Sequence, residues 1–253
     1  MRHLLKRHLL SMRASFDFVL SITYAAPAAV LSKFITPGLR LDEWNGFGFL
    51  AAAFVQTRHM RPALLPSFAG ASYFFAGYRL FCRYRTVDGR ELRGLRILRS
   101  DTDARMMATA GNLLTHYNYH VAKVNMQRTG DLLTLRVASR DGVGDAQLTA
   151  QLAGPADFLP SGSPFPTAHD ARRFAGPMPF TFDYEAETHS IIRVRGARAQ
   201  WKPRLVPVSI EKLSFLEQET FADVTPILAS CFYLEGIDYH WQRGVREQLT
   251  GVA

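Results

Sequence analysis

The stretch Phe47–Val55 reads Phe-Gly-Phe-Leu-Ala-Ala-Ala-Phe-Val, nine residues without a polar side chain. A short apolar run of this kind marks a strand covered on both faces, because a strand with one wet face alternates instead. The chain must therefore supply a layer on either side of it. Asn45-Gly46 stands directly before the run, and both residue types accept the positive φ of a tight two-residue turn. The segment from Pro37 through Gly46 is thus predicted to form a hairpin with Phe47–Gln56.

Other segments repeat the theme. Phe16–Tyr24 is rich in β-branched and aromatic residues and predicts a first strand, followed by a short helix over Pro27–Phe34. Thr57–Ala71, with Pro62, Pro66 and Gly70, reads as a loop. Ser72–Arg85 predicts a long strand with Tyr78, Leu80, Cys82 and Tyr84 on one face and Arg79, Phe81, Arg83 and Arg85 on the other. Asp88-Gly89 turns it into Glu91–Leu98. Ser100-Asp101-Thr102-Asp103 offers N-caps for a helix over Ala104–Leu114, whose small face (Ala108, Ala110, Gly111) suits close packing on a sheet. A turn at Arg128-Thr129-Gly130-Asp131 leads to strands at Leu132–Ser139 and Ala146–Leu152. Gly154–Pro179 reads as a long irregular connection, Lys212–Phe221 as a short amphipathic segment, and His189–Arg195, Leu205–Ile210 and Ile227–Trp241 as further strands. Many short strands with one central helix predict an α+β, mainly β fold: one domain over residues 1–253, with an antiparallel barrel-like sheet.

Composition narrows the function classes. With 47% hydrophobic and 21% charged residues, the chain is globular rather than disordered. Residues 1–126 carry 17 Lys and Arg against 7 Asp and Glu, while residues 127–253 carry 13 against 15. No nucleic-acid motif accompanies the basic half, and 25 of the 30 basic residues are Arg. A small anionic ligand meeting inward-facing arginines fits this asymmetry better than nucleic acid. Cys82 and Cys231 make neither a disulfide framework nor a metal set, which points to a reducing cytoplasm. The charge-free run Phe18–Ser32 is broken by Pro27 and too short to span a bilayer. Arg2, Lys6, Arg7 and Arg13 resemble a signal-peptide start, yet no apolar core or cleavage site follows, so residues 1–14 read as a frayed basic lead-in.

Chemistry-bearing residues cluster in Asn112–Met126, which holds His116, Tyr119, His120 and Lys123. A titratable cluster between a helix and a strand is a natural pocket candidate. His116 and His120 have the spacing of two helical metal ligands, but nothing completes the set, so no metal or other cofactor is expected. Motifs for hydrolase, P-loop and Rossmann chemistry are absent. On a strand, Tyr119, Val121 and Lys123 share one face and His120, Ala122 and Val124 the other. The Tyr119–Lys123 face brings a phenol and an amine together and is expected to line the pocket. Arg79 and Arg96 are the arginines expected to hold a carboxylate.

A resemblance joins these features. Pro37-Gly38-Leu39-Arg40-Leu41-Asp42 leads through Asn45-Gly46 into Phe47–Phe54; then come Tyr78-Arg79-Leu80, the helix ending at Leu114, Tyr119-His120-Val121-Ala122, and Cys231-Phe232-Tyr233-Leu234 through Tyr239-His240-Trp241-Gln242. In this order the chain resembles the YqjF-like domain-of-unknown-function family of the acetoacetate-decarboxylase-like superfamily. The resemblance implies a cone-like β-barrel with an internal pocket, in which Tyr78 and Trp44 join Arg79 and Arg96 as candidate substrate-binding residues. It also implies a Schiff-base lysine, activated in the founding decarboxylases by a neighbouring lysine. No lysine pair occurs in this sequence; its place falls near Tyr119-His120, with Lys123 just beyond. Two functions stay open: a lyase or hydro-lyase acting on a keto-acid-like anion, with Lys123, Tyr119, His120 or His116 moving protons, and a non-catalytic binding module for an apolar or anionic metabolite. Either admits a homo-oligomer.

Overall fold

The structure is a computed structural model that describes residues 2–155, 157–176, 178–198 and 201–249. In chain order the elements are α1 (Arg2–Leu5), β1 (Met12–Pro27), α2 (Ala28–Leu31), β2 (Leu39–Leu41), β3 (Phe47–Pro62), β4 (Ala71–Arg85), β5 (Glu91–Thr102), α3 (Arg105–Leu114), β6 (Tyr119–Thr129), β7 (Leu132–Ser139), β8 (Ala146–Gln151), α4 (Ala168–Ala175), β9 (Phe180–Glu185), β10 (Ser190–Arg198), β11 (Arg204–Leu205), β12 (Val208–Leu213), β13 (Ile227–Trp241) and β14 (Val245–Gln248). The class is α+β and mainly β, as the alternation of strands and turns predicts.

Strand pairing closes a ring: β4–β3–β1–β13–β10–β9–β5 and back to β4. Every contact in it is antiparallel except that between β5 and β9, which is parallel and limited to Leu95 against Thr181. From β5 a second leaf, β6–β7–β8–β12, extends by a parallel start at Ser100–Thr102 against Tyr119–Val121. This leaf folds over one face of the ring, so that Ala122, Leu135, Val137 and Leu148 share a core with Leu20, Ile22, Phe54 and Leu80. The opposite faces of β1, β3, β4 and β13 carry a second core around Phe16, Phe49, Val55, Phe81 and Phe232, sealed by α4. Both faces of β3 are thus covered, which is what its unbroken apolar run requires.

Several local expectations change. Asn45 and Gly46 do adopt φ of 51° and 81°, and Trp44 and Phe47 exchange both backbone hydrogen bonds. The hairpin ends there, however, because β2 pairs with β4 rather than β3. Strand β3 continues through Thr57–Pro62, where a loop is predicted; a register shift between Thr57 and Met60, with His59 at φ 52°, lets it bend without stopping. Ser100–Thr102 stay in β5 instead of capping α3, whose N-cap is Ala104 with no side-chain hydrogen bond. The carboxylate of Asp101 is turned inward to Arg99, and that of Asp103 accepts from the Phe74 N–H. The Gly154–Pro179 connection contains α4, capped by Thr167. The basic start is tied down: Arg7 donates to the buried Glu185 carboxylate at 2.6 Å, and the His8 N–H donates to Leu114 O.

Candidate functional site

One cavity, of about 240 Å³, opens on the inner face of the ring. Residues from β1, β3, β4, β5, β9 and β13 all reach it, and the 8–10 segment and α3 close one side. Its walls are mostly apolar, among them Phe16, Val55, Phe75, Ile97 and Trp241. Against them stand a few polar groups: Arg79, Tyr117, Tyr119, Tyr239, Thr181 and His8. A largely apolar concavity with few convergent polar groups is the usual form of a small-molecule site.

Glycines make room for the polar groups. A Cβ on Gly77 would meet Arg79 Nε at 3.3 Å, so the guanidinium lies back over this bare backbone. A Cβ on Gly111 of α3 would collide with the Tyr119 ring at 2.3 Å, and one on Gly196 with the Tyr239 ring at 2.5 Å. The small face of α3 read in the sequence thus accommodates a cavity-lining phenol.

Arg79 is the most unusual group in the site. Its Nε is buried without a hydrogen-bond partner, and no carboxylate among the described residues pairs with it. Burial pushes its pKa down from the ordinary value, opposed by the nearby phenols of Tyr239, Tyr117 and Tyr119. Arg83, Arg93, Arg96 and Arg99 on β4 and β5 each have an oxygen partner. Arg83 and Arg93 grip the buried Asp42 from both sides at 2.6 Å. Arg99 holds Asp101 at 2.7 Å and Asp141 at 2.8 Å, and Arg96 donates to Phe34 O. Arg83 is therefore part of a structural ion pair. Arg96, expected to face a ligand, is spent on a backbone carbonyl away from the cavity.

The central stretch divides. Tyr119 lines the cavity, its hydroxyl pKa raised by burial and lowered in part by Arg79. Lys123, on the same strand face, is exposed. The cause is the course of β6, which leaves β5 after Val121 and from there pairs only with β7. The catalytic-lysine expectation therefore falls, and none of the other four lysines lines the cavity. His120 faces Asn118 Oδ1 at 3.1 Å and Asp141 at 3.5 Å, outside the cavity. His116 is half-buried in the α3–β6 link, its pKa lowered by burial, and does not line the cavity either. The two histidines do not share a helix face, and no three His, Cys, Asp or Glu side chains among the described residues gather as metal ligands would. Tyr78 points to the opposite core, stacked on Phe215 at 4.2 Å with its hydroxyl donating to Gly144 O. Trp44 packs on Phe174 at 5.5 Å in the second core.

Sequence reasoning passed over His8, Tyr117, Tyr239 and Asp183. Tyr117 lay inside the central stretch and Tyr239 inside the closing strand, so their aromatic character was visible but not their direction. His8 sat in a segment read as frayed, and Asp183 in a strand, β9, that went unrecognised. No helix among the described residues is long and apolar enough to cross a membrane.

A family profile, DUF2071, described as an uncharacterized conserved protein, matches residues 13–238. A search of curated proteins finds no match. Among solved structures, the fold is similar to acetoacetate decarboxylase from Legionella pneumophila subsp. pneumophila str. Philadelphia 1, with a TM-score of 0.61 and 14% identity over 93% of this chain and 86% of that one. It is similar to an acetoacetate decarboxylase-like enzyme from Sphingomonas wittichii RW1, with a TM-score of 0.59 and 16% identity over 97% and 94% of the two chains. It is also similar to the enduracididine biosynthesis enzyme MppR complexed with pyruvate, with a TM-score of 0.51 and 10% identity over 95% and 88%. At such identities the likeness is one of fold.

Proposed function

From the premise that the chain belongs to the DUF2071 family and shares the fold of acetoacetate decarboxylases, we propose that it binds a small carboxylate in the ring cavity, with Arg79 as the anion's partner. One observation carries this reading: a buried guanidinium with no counter-charge, beside an apolar cavity. A charge taken out of water is costly unless paired, and a planar carboxylate is its natural complement. The Tyr117, Tyr119 and Tyr239 hydroxyls, kept neutral by burial, supply further donors, and the apolar walls suit a short aliphatic body.

Schiff-base chemistry has no support in this cavity, because no lysine lines it. Retention of the fold without the amine argues for a ligand held by ion pairing rather than by a covalent imine. Titration of branched aliphatic carboxylates and their primary amides, followed through Trp201 and Trp241 in the cavity wall, tests the reading. The acids should bind, the amides should bind at least about tenfold more weakly, in keeping with a charge-assisted pair, and Arg79→Leu should remove the difference. Equal affinity for acid and amide would refute it.

A further inference from the structure

His8 lies on the cavity wall, and its Nε2 is turned to the buried carboxylate of Asp183, 3.4 Å from Oδ2. Asp183 is 3% exposed and sits on β9, two residues from Thr181, which also lines the cavity. The other side of the imidazole packs on the Tyr117 ring at 4.7 Å. The backbone fixes this placement. His8 adopts φ 51°, a left-handed conformation seldom used by a residue with a side chain. It is held there by its N–H donating to Leu114 O and its carbonyl accepting from the Gly244 N–H. Strain of this kind persists where the surrounding structure over-determines it, and it collects at functional sites. His8 Nε2 and Asp183 Oδ2 are both buried and neither makes a hydrogen bond, so the imidazole and the carboxylate face each other as a charge contact. A carboxylate beside an imidazole favours the ring orientation that faces it.

We infer that His8, positioned by Asp183, is an acid–base catalytic residue of the cavity, and that the protein enolises a 2-oxo acid bound at Arg79. The inference rests on the anion reading of the cavity. The chemistry follows from the groups present: a guanidinium for the carboxylate, an imidazole for the proton, and neutral phenols for the oxygen that gains charge. The C3–H bond breaks and its proton passes to Nδ1 of the His8 imidazole. The bonding pair forms a C2=C3 double bond while the carbonyl π pair moves onto oxygen, giving an enolate that accepts a hydrogen bond from the Tyr119 hydroxyl. Return of a proton from Nδ1, after exchange with water, regenerates the 2-oxo acid, so no co-reactant is consumed.

The test uses 4-methyl-2-oxopentanoate in deuterium oxide, with C3 proton loss followed by NMR and binding by tryptophan fluorescence. The full chain should accelerate exchange over buffer. His8→Gln and His8→Ala should each lower the rate by roughly 100-fold or more, the scale of general-base catalysis, while probe affinity changes little. The titratable and charged groups around His8 are Asp183, His116 and Tyr117, with Lys6, Arg7 and Glu185 beyond. Asp183→Asn should lower the exchange rate while probe affinity changes little, and Asp183→Glu, which keeps the carboxylate, should restore part of the rate. A purely structural Asp183 would lower stability and probe affinity together with the rate. Probe binding without exchange, or exchange undiminished in both His8 variants, overturns the inference and leaves the Arg79 reading standing. Failure of the unmodified protein to bind the probe overturns both.

Discussion

Arg79 illustrates how a single residue divides stability from function. Its guanidinium stays charged at any ordinary pH, yet its Nε has no partner, and an unsatisfied buried group of this kind costs about 1–3 kcal/mol. Arg79→Leu should therefore melt at a higher temperature than the parent while losing carboxylate binding. A lower melting temperature would mean that the guanidinium has a structural partner after all. Gly77→Ala probes the same point from beneath: the added Cβ, 3.3 Å from Nε, should displace the guanidinium and weaken binding with little effect on folding. The sequence marked Arg79 and Tyr119 because alternation predicts direction on a strand. The same rule misplaced Lys123, since it cannot report that β6 parts from β5 after Val121. Arg96 and Arg83 were legible as arginines on strands, but not as partners of Phe34 O and Asp42, which come from other parts of the chain.

At the scale of elements, what depends on neighbours in sequence was readable. The turns at Asn45-Gly46 and Gly130, the helix before Leu114 and the long closing strand all follow from local residue preferences. Gly46→Val places a branched residue at φ 81° and should destabilise by about 1–3 kcal/mol, the range for strain at such a position, measured as a shift in the urea midpoint without change of slope. The basic start could not be read this way, because its anchor is distant. Arg7 holds the Glu185 carboxyl down from 4.5 to about 2, mainly by hydrogen bonding. A folded-state pKa below the unfolded one contributes stability that is fully present above the unfolded value and is lost as pH falls through the folded one. The Arg7–Glu185 contribution should therefore fade between about pH 4.5 and pH 2. In Arg7→Gln the melting temperature should fall at neutral pH and approach the parent's near pH 2. A constant difference across that window would show that the ion pair is not its source.

Ring closure is a property of the whole molecule, and it was only partly legible. The strands and their doubly covered faces predict a closed or layered sheet, but β9 and β14 are short, and their partners lie far off in sequence. Unequal seams have a consequence for access to the cavity. The strands β1, β3, β4 and β13 pair along most of their length, whereas among the described residues β9 is in register with β5 at Leu95–Thr181 alone and β10 with β13 over Gly196–Arg198. The β9–β10 hairpin, with β14 on its edge, is thus joined to the ring by its two narrowest seams. Regions with few hydrogen bonds to their surroundings open at lower free energy than the core. It is this hairpin that carries Thr181 on the cavity wall and Asp183 behind His8. Hydrogen exchange followed by mass spectrometry should find amides of β9 and β10 exchanging through a sub-global opening, well before those of β1, β3 and β13. A bound carboxylate should slow the hairpin more than the slow strands, because closure of this wall completes the site. Uniform protection around the ring would show that these narrow seams are no weaker than the rest, and that ligands must reach the cavity past the 8–10 segment and α3 instead.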